Sequence, residues 1–396
     1  TLRSRGLGDV YKRQTLKFAA RFIVWPFQFL GRRGDQSLPP APRALTAMGP
    51  AYIKFGQILS TRPDVVGPEL AEQLRVLQDR LPPFSTDVAK QSFKLEIGLD
   101  ADDVFSDFSE PVAAASIAQV HRGKLKDNGQ SVAIKVLRPE IERAFQKDLD
   151  TFYFAARLVE FVSPKSRRLK PMDVIAHFDG VVRGELDLRL ESASASEFLA
   201  NIKEDKGFSV PSVNWSLSSR RVMTLDWADG VPMGDVDALA AAGHNLSELG
   251  DRVLHMFLNH ALRDGFFHAD MHQGNLKVSS SGDIVAFDFG IMGHIDEYTR
   301  RVYAEILFGF IKRDYKRVAQ VHFEAGYVPQ DQDVDEFARA LRAVGEPIFG
   351  MDASNISMGR LLTYLFEVTE RFGMETRTEL ILCLLYTSPS PRDRNV

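Results

Sequence analysis

The sequence predicts an α+β fold of two lobes, one small and β-rich and one mostly helical, with a helical extension ahead of both. Three observations carry that expectation. A proline-punctuated block before residue 104 has apolar residues at helical spacing. Short strand-like runs joined by an Asn-Gly hairpin signal come next. Mostly helical stretches then continue to the end, interrupted by a strand and turn and by one segment, Phe266 to Gly290, with three Asp, two His and one Asn.

Taken in order, Arg32 to Pro42 carries Gly, Asp, Ser and three prolines and reads as a loop. Residues 37–85 read as helices, with Pro50, Pro63, Pro68, Pro82 and Pro83 as punctuation. Val104 to Val136 has strand chemistry, and Asn128-Gly129 marks its hairpin. Pro139 to Phe161 and Met172 to Asn201 read as helices, and "RVMTLDWADG" as a strand and turn. Leu246 to Arg263 is helical, Phe266 to Gly290 holds a loop and two short strands, and Asp296 to Leu382 is helical. The resulting division is 49–103 for the helical extension, 104–230 for the β-rich lobe with inserted helices, and 231–382 for the helical lobe.

Bulk properties remove several classes. A net charge of −4 over 396 residues gives no basic excess for nucleic acid, so no nucleic-acid partner is expected. A single cysteine excludes an internal disulfide framework and a cysteine-rich zinc site. No run of 18 apolar residues is present to span a bilayer. Leu16 to Leu30, within an N-terminal segment 15–48, suits a helix on a membrane surface or one packed on its own protein. The ends, 1–14 and 383–396, resemble read-through of sequencing adapters and are set aside with Cys383. The natural chain is expected to extend further at both ends.

Asp270, Asn275 and Asp288 are the chemical core. Asn275 follows Asp270 at the spacing between the base and the metal-binding asparagine of a kinase catalytic loop. Asp288 opens "DFG" after the apolar run "IVAF". A carboxylate and an amide oxygen are hard ligands, suited to Mg²⁺ with its phosphates. Phosphoryl transfer needs mainly positioning and charge neutralisation, which such groups supply. His268 and His272 are four apart, like the ligands of a helical zinc motif, but the glutamate is missing and Gly274 and Asn275 break a helix there. His268 is read as bracing the loop.

Lys135 in "VAIKV" is placed like the strand lysine that meets nucleotide phosphates. Its expected carboxylate partner lies among Glu185, Asp187 and Glu191. The spacing of six puts Glu185 and Glu191 on different faces of one helix, able to serve two lysines. Where a glycine-rich loop would sit, Ala113, Ala114 and Ala115 precede Ser116. Alanine resists positive φ, so a stiffened covering loop is expected over Pro111 to Gln119.

These features together resemble the UbiB/ABC1/ADCK family of atypical, protein-kinase-like proteins, in its bacterial branch. "KFGQ", Lys54 to Gln57, matches the KxGQ signature; "AAAS", Ala113 to Ser116, the alanine-rich loop; "ELD", Glu185 to Asp187, the ExD motif. "HADMHQGN" and "DFG" match the catalytic loop and metal motif, with Met271 and Gln273 where prolines are common. The likeness covers about Leu16 to Leu382.

That resemblance implies a two-lobed protein-kinase-like fold whose KxGQ helices cover the active site. It implies binding of ATP with Mg²⁺, Lys135 paired with Glu191, and Lys54 paired with Glu185 across a lid that also holds Gln57 and Asp187. Asn275 and Asp288 would hold the metal and Asp270 would stand in the base position. The implied role is an ATPase or small-molecule kinase supporting ubiquinone biosynthesis on the cytoplasmic face of the bacterial inner membrane. Prenylated phenol or quinone precursors and other biosynthetic proteins would be its partners, and hydrophobic C-terminal segments would lie beyond this fragment. The alternative is a nucleotide-switched scaffold or lipid adaptor. A conventional Ser/Thr kinase fits less well, given the alanines and the lack of an APE motif after DFG.

Overall fold

The computed structural model describes residues 37–60, 68–78, 83–162, 171–351 and 358–374. The two end segments and Leu16–Leu30 lie outside the described residues. Ten strands occur among them: β1 (Phe105–Ala114), β2 (Ala118–Leu125), β3 (Ser131–Leu137), β4 (Phe208–Ser209), β5 (Val222–Asp226), β6 (Val231–Pro232), β7 (Phe266–His268), β8 (Leu276–Val278), β9 (Ile284–Ala286) and β10 (Met292–His294). The chain divides into two compact units, residues 1–190 with 213–227, and 191–212 with 228–396.

The first unit opens with α1 (Pro40–Met48), α2 (Pro50–Ser60) and α3 (Pro68–Leu74), the last running into a 3-10 turn, Arg75–Gln78. The loop expected through Pro42 is therefore corrected, since Pro40 starts a helix. Proline lacks only an N–H that the first helical turn leaves unpaired anyway, and the same holds at Pro50 and Pro68. Gly56 permits the close packing of α2. A Cβ there would stand 2.5 Å from Leu77 Cδ1 and 2.7 Å from Leu45 Cδ1. Ile53, Leu74 and Leu77 form the small core beneath.

Next come α4 (Thr86–Ile97) and α5 (Ala101–Val104), then the antiparallel sheet β1-β2-β3-β5. Ser85 caps α4 by accepting the Val88 N–H. Ala89 and Phe93 of α4 cover one face of the sheet, packing with Phe105, Ile134, Val136 and Val222. The β2–β3 turn holds Gly129 at φ 70°, the left-handed geometry that Asn-Gly signals. Helices α6 (Ile141–Val162) and α7 (Pro171–Glu185) form an antiparallel pair. The rings of Tyr52 and Phe55 on α2 pack on Phe152 of α6 and Phe178 of α7 at centroid distances of 4.6–5.3 Å.

The helix expected over Met172 to Asn201 is two helices, α7 and α8 (Leu188–Asn201). Asp187 sits in the break and accepts the Arg189 N–H at 3.1 Å, an N-terminal cap for α8. Glu185 and Glu191 thus belong to different helices, not to two faces of one.

The second unit takes most of α8. Phe198 stacks on His260, Phe266 and Phe289, which draws Glu191–Ser212 away from the lobe expected over 104–230. Its sheet runs β4-β9-β8-β6, and β7 pairs with β10. Helix α9 (Val236–Ala241) precedes α10 (Leu246–Asn259), which ends in a π turn, His260–Asp264, before β7. Four helices follow: α11 (Glu297–Ile311), α12 (Tyr315–Glu324), α13 (Val334–Gly345) and α14 (Met358–Arg371). Asp296, Asp314 and Asp333 cap the first three of these, each accepting the N–H three residues on. Val318, Phe337 and Phe372 centre the core there. Among the described residues no helix is long and apolar enough to cross a membrane.

Candidate active site

The β8–β9 hairpin positions the acidic groups of the second unit. Leu276 pairs with Ala286, so Asn275 and Phe287 flank the same end of the hairpin. The Phe287 N–H donates to Asn275 O at 3.1 Å, closing that end and bringing Asp288 beside Asn275. Asn275 is buried, and its Nδ2 donates to the carbonyl of Asp270 at 2.9 Å. All three predicted residues are therefore linked through backbone groups. Asp288 has φ 65°, a left-handed conformation few non-glycine residues adopt. Strain of this kind persists only where the surroundings over-determine it.

His268 braces the arrangement, as expected. It is buried on β7, its Nδ1 accepts the Asp270 N–H at 3.1 Å, and its ring stacks on Phe289. Burial holds its imidazole below the ordinary range, against the pull of the Asp270 and Asp288 carboxylates. His272 lies in the turn, where its Nδ1 accepts the Gly274 N–H at 3.0 Å and its Nε2 stands 3.8 Å from Asp270 Oδ2. The two histidines occupy a strand and a turn, unlike ligands on one helix.

Lys135 lies on β3 in the first unit, between Val120 of β2 and Met223 of β5. Val120 pairs in turn with Ala113, so the alanine segment and the lysine share one cross-strand row. The covering loop expected over Pro111 to Gln119 is mostly strand. Ala113 and Ala114 end β1, and only Ala115–Ile117, with Ser116, forms the turn, closed by the Ala115 N–H donating to Ala118 O at 2.8 Å. None of the three alanines has positive φ, so their methyls resist nothing that this conformation asks of them. Ala113 and Ala114 supply ordinary strand backbone, and Ala115 opens the turn.

The KxGQ residues are tied within the first unit. Lys54 Nζ lies 2.6 Å from Glu185 Oε1, an ion-pair contact at an angle outside that of a straight hydrogen bond. Its side chains are only 15% and 10% exposed, so it is screened far less than a surface pair. Glu185 is the last residue of α7, where the helix dipole disfavours a carboxylate, and the ammonium offsets that. Gln57 Nε2 donates to Leu77 O at 2.8 Å. Asp187 pairs with Arg189 at 2.6 Å, which lowers its pKa; no sequence signal named that arginine. Glu191 is buried in the first turn of α8, on the second-unit side of the division.

The donor set suits Mg²⁺ with a nucleotide. Asn275 commits its amide nitrogen to Asp270 O, which leaves Oδ1 for a hard cation, and Asp288 follows Phe287, whose N–H is bonded to Asn275 O. Two protein oxygens are what Mg²⁺ takes when phosphates and water complete its shell. Sequence reasoning passed over Phe84, Gln119 and Arg138, which hold the alanine turn from behind. A glutamine inside a strand and an arginine after one carry no pattern that would flag them.

Comparison with known proteins gives the family. A model described as the ABC1 atypical kinase-like domain matches residues 76–322, and one described as the UbiB helical domain matches 341–384. A "Probable protein kinase UbiB" of Aliivibrio fischeri (strain MJ11) is 41% identical over 344 residues, covering 86% of this chain and 63% of its own. One of Klebsiella pneumoniae (strain 342) is 40% identical over 392 residues, 96% of this chain and 71% of its own. The chain thus spans less than two thirds of the first of these relatives. The structure of Rv3197 with erythromycin, from Mycobacterium tuberculosis, matches with a TM-score of 0.54 and 23% identity, covering 96% of this chain and 95% of that one. That likeness concerns the fold. With a two-lobed α+β kinase-like fold and both family models matched in order, the chain belongs to the UbiB family of ABC1 atypical kinase-like proteins.

Proposed function

We propose that the chain binds ATP with Mg²⁺ and transfers or hydrolyses the terminal phosphoryl group in support of ubiquinone biosynthesis at a bacterial membrane surface. The observation that carries the proposal is the backbone wiring of Asp270, Asn275 and Asp288 around one hairpin end. Bound there, the cation would neutralise charge developing on the phosphates. Asp288 and Asn275 would supply its protein oxygens. Lys135 would meet the phosphates, and Asp270 would accept the proton of the attacking hydroxyl or water. The Lys135–Glu191 pairing is part of this proposal; a charge-swapped double variant that recovers the activity lost by each single one would support it.

Phosphate release from Mg-ATP tests the reading, measured with and without vesicles of anionic phospholipid and a phenol headgroup analogue. Turnover that rises with these additions supports coupling to lipid precursors. Absence of turnover under all conditions, with nucleotide still bound, would favour the nucleotide-switched adaptor. One observation lends that second reading weight, namely the little-exposed Lys54–Glu185 pair, whose opening would remove one of the ties between α2 and α7.

A further inference from the structure

The face of the first-unit sheet away from Lys135 holds the alanine turn in a way that the reading above does not use. Residues along β2 alternate. Gln119 and His121 are fully buried, with Val136 and Ile134 as their register partners, while Val120 is the register partner of Lys135. Ala113, Val120 and Lys135 thus form one row, and Gln119 stands behind it at the root of the turn.

Gln119 is fully engaged. Its Oε1 accepts the Phe84 N–H at 2.9 Å, and its Nε2 donates to Phe84 O at 3.1 Å and to His121 Nε2 at 2.8 Å. His121 Nδ1 donates in turn to Ser109 O at 2.8 Å. The order of donors admits one arrangement. A flipped amide would set Oε1 against Phe84 O and its nitrogen against the Phe84 N–H. A buried polar network with every member satisfied is stiff and specifies one geometry.

Arg138 grips the turn itself. Its Nε and Nη2 donate to Ala115 O at 3.1 and 2.9 Å, and its own N–H donates to Ile117 O at 2.8 Å. The guanidinium lies 5.8 Å from the centre of the Phe84 ring. Arg221 Nη2 donates to Arg138 O at 3.0 Å, fixing the backbone from which the guanidinium reaches. Gln119 and Arg138 therefore both converge on Phe84, one on its backbone and the other on its ring. Phe84 itself lies in the linker between the α1–α3 extension and α4.

We infer that Gln119 and Arg138 are positioning residues that hold the Ala115–Ile117 turn against Phe84, setting its backbone for nucleotide phosphates before a ligand arrives. This rests on the nucleotide reading above. It replaces the freedom of a glycine-rich loop with a turn clamped from behind, and it ties that turn to the linker from the helical extension.

Affinity for ATP against affinity for adenosine tests it, because adenosine has no phosphates. Titration calorimetry would compare wild type, Arg138→Met and Arg138→Lys, with thermal melts as the folding control. Arg138→Met should weaken ATP by about tenfold, the scale of a lost charged hydrogen bond, and leave adenosine within about twofold. Arg138→Lys keeps a cation with one donor in reach and should fall between. A general distortion would shift both ligands together, which counts against the clamp. Should Arg138→Met melt early, Phe84→Leu gives the same ratio, since it removes the ring contact and keeps the backbone bonds. An unchanged ratio in Arg138→Lys and Phe84→Leu, with wild type binding ATP, overturns the clamp alone. A wild type that binds neither ligand overturns the nucleotide reading beneath it, and no variant is needed to see that.

Discussion

The β8–β9 hairpin and the α2–α7 contact hold charged side chains by different means. Asn275 and Asp288 are held by backbone hydrogen bonds among residues close in sequence, with strain at Asp288. Lys54 and Glu185 are far apart in sequence and meet because Tyr52 and Phe55 pack on Phe152 and Phe178. A locally wired site tolerates distant change and fails when one of its own groups is altered. A pair set by packing fails when either helix shifts.

The largest expected effect lies in the hairpin. Asp270→Asn should lower phosphate release by about 100-fold, the lower end of what general-base catalysis contributes, with ATP affinity kept. Steady-state kinetics beside a binding titration checks this, and an equal loss in both would mean that Asp270 holds ligand instead. Next is the ion pair. Lys54→Met leaves Glu185 poorly exposed and unpaired, at a cost of about 2 kcal/mol in urea unfolding, less than for a fully buried pair. Lys54→Met with Glu185→Leu should cost less than the sum of the singles; strict additivity would show the pair to be uncoupled.

The third prediction uses pH. His121 and His322 are held below their ordinary value of 6.5, chiefly by burial. His260 is lowered by burial too, although Asp205 pulls the other way. The unfolded chain therefore protonates first. Stability is full above about pH 6.5 and declines as pH falls through 6.5 toward the folded values. Urea midpoints at pH 7.5 and 5.5 would show the drop, and a flat profile would contradict it. Hydrogen exchange sharpens the comparison, because His260 and His322 lie in the second unit and His121 in the first. The smallest effect is at the alanine strand. Ala114→Gly should cost about 0.5–1 kcal/mol of stability, as glycine does inside a strand. A gain in stability would mean that the alanine is strained.

The same contrast explains what the sequence disclosed. The Asp270–Asn275–Asp288 constellation lies within one span of 19 residues, so spacing alone exposed it. The strands around Lys135 and the Asn128-Gly129 turn were legible for the same reason. Lys54 with Glu185 came only through family resemblance, because ring packing between distant helices leaves no local pattern. The break at Asp187 was hidden because Val182, Leu186 and Leu190 run through it at the i, i+4 spacing of one helix. The alanine segment was expected to be a covering loop on the precedent of a glycine-rich one, whereas Ala113 and Ala114 are strand. The Phe84–Gln119–Arg138 clamp was invisible, since its contacts join a linker, a strand and a strand end.

Titration calorimetry of ATP in Mg²⁺ buffer, on wild type and Asp288→Asn, tests the central claim most directly. Asparagine tolerates the left-handed backbone at this position and removes only the charge. Wild type should bind Mg-ATP and lose most of that affinity in EDTA. Asp288→Asn should lose at least about tenfold, or 1.4 kcal/mol, with an unchanged melting temperature. Equal affinity in the two proteins, with or without Mg²⁺, would contradict the assignment of Asp288 and Asn275 as the metal-holding pair.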